Sequence, residues 1–141
     1  MITPATSHDT DAILSVWLQT SKQAHDFITP DFWDSQLPAM REVYLPAADT
    51  YVYRLEDAVC GFYSMVGDTL AAIFVLPSHQ GQGIGKQLIN HAKARHQTIT
   101  LRVYKDNQAG VGFYKAQGFV VTQEQMDAHK GQLECVMVFN T

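Results

Sequence analysis

The sequence predicts an α/β domain, and three features carry that prediction. Between Thr69 and Tyr104 the order is strand, glycine loop, helix, strand, the arrangement of a crossover that leaves two strands parallel. The run from Leu70 to Leu76 is uninterruptedly apolar, which suits a central strand covered on both faces. The stretches between predicted elements are short, and no repeat, low-complexity tract or linker divides the chain. Its 141 residues fall within the roughly 100–200 usual for one domain, so residues 1–141 are expected to form a single unit.

From Asp9 to Lys22, Ile13, Val16, Trp17 and Thr20 recur at helical spacing, with Ser7 and Thr10 available as N-caps. Thr29-Pro30 opens a second helix, expected to run to about Leu45 with a kink at Pro38. Tyr51 to Leu55 reads as a strand, Glu56-Asp57 as a turn and Val59 to Val66 as the hairpin partner. Gly67-Asp68 turns the chain into the apolar strand, which Pro77 ends because it cannot donate to a ladder. Ile84, Leu88, Ile89 and Ala92 mark the inner face of a third helix ending near His96. Thr98 to Tyr104 alternates, with Ile99, Leu101 and Val103 on one side. Asn107 caps a fourth helix with Ala109, Phe113 and Ala116 inward, and Gly118 stands where a C′ glycine belongs. Strands at Phe119 to Gln123 and Leu133 to Phe139 complete the order.

Composition narrows the function classes. Hydrophobic residues make up 46% and charged residues 17%, enough apolar area for a core, which excludes disordered and fibrous chains. No apolar run approaches the roughly 18 residues of a spanning helix, and no basic stretch leads into an apolar one after Met1, so a cytoplasmic protein is expected. Ten Lys plus Arg against fourteen Asp plus Glu give a net charge of -4, the wrong sign for holding nucleic acid through its phosphates. Cys60 and Cys135 lie in apolar stretches and read as buried small hydrophobes. The cysteines have no zinc spacing, so no metal is expected.

Gly81, Gly83 and Gly85 alternate between a buried strand and a helix. Such a loop lets main chain approach a ligand closely and points N–H groups at it, which makes a phosphate cradle. The helix dipole favours a negative charge there by about 0.3–1 kcal/mol, and Lys86 adds a cation. A plain glycine-rich turn without a ligand is the alternative. Two common phosphate loops fail. The dinucleotide pattern Gly-x-Gly-x-x-Gly meets Lys86 in one register and Leu88 in the other, and a P-loop would need glycine at Gln80 and Ser or Thr at Gln87.

The segment Gln80-Gly81-Gln82-Gly83-Ile84-Gly85 fits Gln/Arg-x-x-Gly-x-Gly/Ala after a strand ending Phe74-Val75-Leu76-Pro77. A second block, Asn-x-x-Ala/Gly-x-x-Phe-Tyr-x-x-x-Gly-Phe, is met by Asn107, Gly110, Phe113, Tyr114, Gly118 and Phe119. On these blocks, covering about Leu70 to Phe119, the chain resembles the GNAT family, the GCN5-related N-acetyltransferases. The resemblance implies a mixed, mostly antiparallel sheet of six to seven strands with a parallel splayed pair and about four flanking helices. It also implies acetyl-CoA as cosubstrate, gripped at its pyrophosphate by Gln80, Gly81, Gln82, Gly83, Ile84, Gly85 and Lys86, with the pantetheine arm against the main chain near Phe74 and Val75. Asn107 is expected to hold the arm from the other side, or to cap its helix, or both. By the same analogy the Val75 N–H, at a bulged end of the strand, stabilises the oxyanion, and Tyr114 gives the leaving thiolate its proton.

The implied acceptor is a primary amine, a protein lysine or a small molecule, attacking directly in a ternary complex. An alkylamine of pKa ~10.4 is under ~0.1% neutral at pH 7, so a base or a water chain is needed. Candidates are His25, Asp26, Glu124 and Asp127, of which His25 has the best matched ordinary pKa. His79, His91, His96 and His129 read as loop or solvent histidines. The run His25-Asp26-Phe27-Ile28 is similar to a small bacterial branch that includes protein-lysine N-acetyltransferases. Phe32, Trp33, Met40 and Tyr44 either pack two helices or line an aromatic mouth. A monomer or homodimer is expected. A non-catalytic acyl-CoA sensor and a partner-binding domain with an exposed sheet edge are the competing readings.

Overall fold

The structure, a computed structural model, describes residues 1–24, 28–127 and 131–140. Seven strands form one sheet in the order β1-β2-β3-β4-β5-β7-β6. They are β1 Ile2–Pro4, β2 Asp49–Leu55, β3 Ala58–Val66, β4 Thr69–Val75, β5 Thr98–Tyr104, β6 Val120–Met126 and β7 Leu133–Asn140. Neighbours are antiparallel except β4 and β5, which are parallel. β1 lies outside the expected elements, because three residues ending in proline carry no period; as an edge strand it tolerates Pro4. Glu56 and Asp57 both take positive φ, 51° and 68°, the two-residue hairpin turn whose twist matches the strands it joins.

The main helices are α1 Thr10–Ala24, α2 Pro30–Ser35, α3 Ile84–Arg95 and α4 Gln108–Ala116. α1 buries Ile13, Val16, Trp17 and Thr20 as their spacing predicts. α2 opens on Pro30 but stops at Ser35 instead of running to Leu45. The chain continues as short turns, Leu37–Ala39 and Leu45–Ala47, around a π-turn at Met40–Tyr44 where the Leu45 N–H reaches back to Met40 O. Pro38 and Pro46 each lack an N–H and so remove one bond from the ladder and crowd the carbonyl one turn back, although the Met40 N–H still reaches Gln36 O across Pro38 at 3.0 Å. α4 is half-buried through Val111, Phe113 and Tyr114, whereas Ala109 and Ala116 are exposed rather than inward. Gly118 has φ +94°, the left-handed conformation expected after a helix.

Two apolar layers sandwich the sheet. Leu88, Ile89 and Ala92 of α3 pack on Tyr63, Met65, Leu70, Ile99, Leu101 and Met137. Ile13, Val16 and Trp17 of α1 pack with Trp33 on Val52 and Phe62 of the opposite face. Both cysteines are buried and unbridged, as expected. His91 is not a solvent histidine: its Nδ1 lies 2.5 Å from the Tyr63 hydroxyl. At the N-terminal end buried Asp9 accepts from Arg54 at 2.6 Å and from the Thr6 N–H at 2.8 Å. The guanidinium holds the Asp9 carboxyl below its ordinary pKa.

Candidate active site

The site begins with a pairing that stops. β5 matches β7 from Thr98↔Asn140 to Tyr104↔Glu134, but matches β4 only at Thr69↔Thr100 and Leu70↔Leu101. The next residue of β4 explains the parting. Against β3, Leu70 sits opposite Met65 and Ala72 opposite Ser64, so Ala71 is an extra, bulged residue. A bulge bends its strand and shifts the alternation of side chains by one. Accordingly Leu70 joins the layer under α3 while Ala72 and Phe74 join the layer under α1. The bulge thus lies in the middle of β4, not at its end near Val75.

The bulge also reassigns the main chain. The Leu76 N–H donates to Cys60 O at 2.8 Å. Hydrogen-bonded pairs alternate along an antiparallel ladder, so Phe74 exchanges bonds with Phe62, and the N–H and C=O of Ile73 and Val75 face the gap toward β5. Phe74 contributes its side chain to the cleft, while its main chain belongs to β3. The Val75 carbonyl accepts from Gln80 Nε2 at 3.0 Å and from the Thr20 hydroxyl at 3.3 Å. Gln80 therefore braces the loop through its side chain. Thr20 is a site residue that helical spacing marks only as core.

The gap opens into a cleft of about 450 Å³, lined by β4, the loop His79–Lys86, β5 and the start of α4. Gly81 and Gly83 adopt φ of +80° and +82°, and a Cβ on either would meet no protein atom within 4 Å. Only glycine adopts this conformation cheaply. Gly83 is the N-cap of α3 and has no side chain to cap it, which leaves the first N–H groups of the helix turned outward. Gly85 serves packing as well, since a Cβ there would press on Phe113 at 3.3 Å. Lys86 is exposed on the cleft; Gln82 is exposed and is not among its lining residues.

Across the cleft stand Asn107 and Tyr114. Asn107 Oδ1 accepts from the Gly110 N–H at 3.0 Å and so caps α4. Gly110 is needed for that, because a Cβ would fall 2.6 Å from Asn107 Nδ2. Tyr114 packs edge-on against Phe113 and Phe119, and burial pushes its phenol further above the ordinary pKa.

On the α1 face of the sheet lies a second cavity of about 350 Å³, walled by Trp17, Phe32, Trp33, Met40, Tyr44 and Tyr104 among others. The aromatic residues of α2 and the π-turn thus both pack and line: Trp33 is edge-on to Trp17 and Phe32, while Tyr44 stays 56% exposed at the rim. The two cavities share Ala71, Ala72, Phe74 and Arg102, so they meet at the bulge.

Of the expected bases, Glu124 is exposed and paired with Lys105 at 2.9 Å, and Asp127 accepts from the Tyr104 hydroxyl at 3.5 Å. Neither lines the second cavity. His25 and Asp26 lie outside the described residues. Among the described residues no group of three His, Cys, Asp or Glu could hold a metal ion, and no helix is long and apolar enough to cross a membrane.

Comparison with known proteins agrees with this geometry. Residues 46–121 match the family described as Acetyltransferase (GNAT) domain. The peptidyl-lysine N-acetyltransferase YiaC of Escherichia coli K12 is 39% identical over 120 residues, covering 84% of this chain and 82% of that protein. The peptidyl-lysine N-acetyltransferase YjaB of Salmonella typhimurium is 33% identical over 113 residues, covering 79% and 77%. The solution structure of the apo form of YjaB from Escherichia coli superposes with a TM-score of 0.87 at 27% identity, covering 99% of this chain and 96% of that one. With the splayed strands, the glycine loop and the paired motifs all in place, the chain belongs to the GNAT family, the GCN5-related N-acetyltransferases.

Proposed function

We propose that this protein transfers an acetyl group from acetyl-CoA to a primary amine, the side chain of a protein lysine or a small amine, by direct attack in a ternary complex in the cytoplasm. The observation that carries the reading is the parting of β4 from β5 after Leu70 and Leu101, which exposes strand amides at one end of a cleft and an uncapped helix N-terminus at the other. The residues present fit the cosubstrate. The outward N–H groups of Ile84, Gly85 and Lys86 suit its diphosphate, and the gap-facing Ile73 and Val75 suit an extended amide chain that needs a partner for each polar group.

Acetyl-CoA supplies an activated acyl carbon and a thiol leaving group. The chain supplies the rest. Of the two gap-facing N–H groups, that of Ile73, nearer the end where the amine enters, would stabilise the carbonyl oxygen as it gains charge, leaving that of Val75 to the arm; being fixed in a strand they need no reorganisation. Tyr114, a phenol and so protonated at neutral pH, donates its proton as the sulfur leaves, and the proton shed by the attacking nitrogen passes to water in the open cleft. Asn107, its Oδ1 engaged in the cap, keeps Nδ2 to donate to an amide carbonyl of the arm. The amine enters through the aromatic cavity, which reaches the cleft at Ala71 and Ala72. That YiaC and YjaB are named for peptidyl-lysine supports a lysine acceptor.

Two measurements test this together. Titration of CoA against melting temperature is expected to stabilise the protein by about 2.7 kcal/mol at 100 times the dissociation constant, and acetyl-CoA with a lysine peptide is expected to release free thiol. CoA binding without thiol release across an amine panel would make the protein a sensor, and no binding would remove the assignment.

A further inference from the structure

We propose that Glu134 is the group that recognises the acceptor's cation, which makes the aromatic cavity a receptor for an alkylammonium chain. This rests on the acetyltransferase reading for its chemistry, but not for its evidence. Glu134 is only 9% exposed, and it interrupts an otherwise apolar inner stretch of β7. A carboxylate is rarely buried unless it is paired. Among the described residues this one accepts a single hydrogen bond, from Gln125 Nε2 to Oε1 at 2.8 Å, while Oε2 stays open to solvent. The other charged side chain lining the cavity, Arg102, is on the neighbouring strand and forms no ion pair with it. A cationic ligand entering the cavity would replace solvent at that open oxygen.

The walls agree with that ligand. Trp17, Trp33, Phe32 and Tyr104 line the same cavity, and aromatic faces attract an ammonium while covering the methylene stem behind it. Tyr44 and Val43, 56% and 58% exposed, lie at and beside the rim, where the body of a peptide bearing the lysine would rest. Glu134 thereby sets specificity for cationic over neutral acceptors of the same shape.

The test uses full-length protein with CoA present and two probes, Nα-acetyl-lysine amide as acceptor and its Nε-trimethyl derivative, a permanent cation that cannot be acetylated. Glu134→Gln keeps the shape and a hydrogen bond to Gln125. It is expected to raise KM for the acceptor about 10- to 100-fold, to change kcat much less, and to abolish binding of the trimethyl probe measured by calorimetry. Its melting temperature and CoA-induced shift should match wild type, which separates recognition from misfolding; if the Gln variant is unfolded, Gln125→Ala, which frees Oε1, is expected to retain probe binding. Unchanged KM and unchanged probe affinity in Glu134→Gln, or no probe binding by wild type, would overturn the proposal. Failure of CoA to bind wild type would instead overturn the acetyltransferase reading, and the probe titration would still decide the role of Glu134.

Discussion

The two sides of β5 differ in what they give up. Toward β7 it is paired from Thr98 to Tyr104, and that side closes over Cys135 and Met137 as ordinary core. Toward β4 it pairs at Thr100 and Leu101 and then lets go. The cause is one inserted residue, Ala71, and the result is a row of strand amides with no strand to receive them. A backbone amide left without a partner costs about 1–3 kcal/mol when buried. Here the cost is limited by solvent in the cleft and by Gln80 and Thr20, which satisfy the Val75 carbonyl from outside the sheet. Structural pairing is complete where the fold needs rigidity and withheld where a ligand can complete it.

Removing the asymmetry should have the largest effect. Deleting Ala71 leaves Leu70 and Ala72 on opposite faces by simple alternation, so the strand is expected to fold regularly, extend its pairing with β5 and lose the CoA-induced rise in melting temperature. Next is Tyr114→Phe, which keeps the ring against Phe113 and Phe119 and removes the proton. Turnover in a thiol-release assay should fall about 10²- to 10⁴-fold, with the CoA-induced melting shift unchanged; equal turnover would remove Tyr114 from the chemistry.

These effects trace back unevenly to the sequence. The apolar strand, the alternating glycines and the α3 face are legible because each has a local cause, a period or a conformation only glycine takes readily. The bulge is not, because Leu70 to Val75 read the same with or without an extra residue until the partner β3 fixes the register. Placing it near Val75 follows from analogy, and pairing alone moves it to Ala71. The end of α2 at Ser35 is not legible, because the aromatic pattern continues past it to Tyr44. Glu134 is illegible for a related reason: a single carboxylate in a strand reads as its wet face until the topology shows an aromatic cavity there.

Smaller changes sharpen the contrast. Gly83→Val should weaken CoA about tenfold or more, since a β-branched residue at φ +82° loses roughly 1–2 kcal/mol of backbone energy; calorimetry reads it. Far from the cleft, Arg54→Met should cost about 1–2 kcal/mol of unfolding free energy at neutral pH. Asp9 has its folded pKa lowered from 3.8, so the stability it adds is complete above that value and lost as pH falls through the lower folded pKa. The gap between wild type and variant in acid-range melting curves should therefore close only under strongly acidic conditions, with no change in CoA binding at neutral pH.

The most direct test is amide hydrogen exchange along β4 with and without CoA, resolved by residue. The account predicts that CoA slows exchange at Ile73 and Val75, whose N–H groups face the gap, and leaves Phe74, already bonded to β3, as it was. Equal exchange at Ile73 and Val75 in the two states would contradict it.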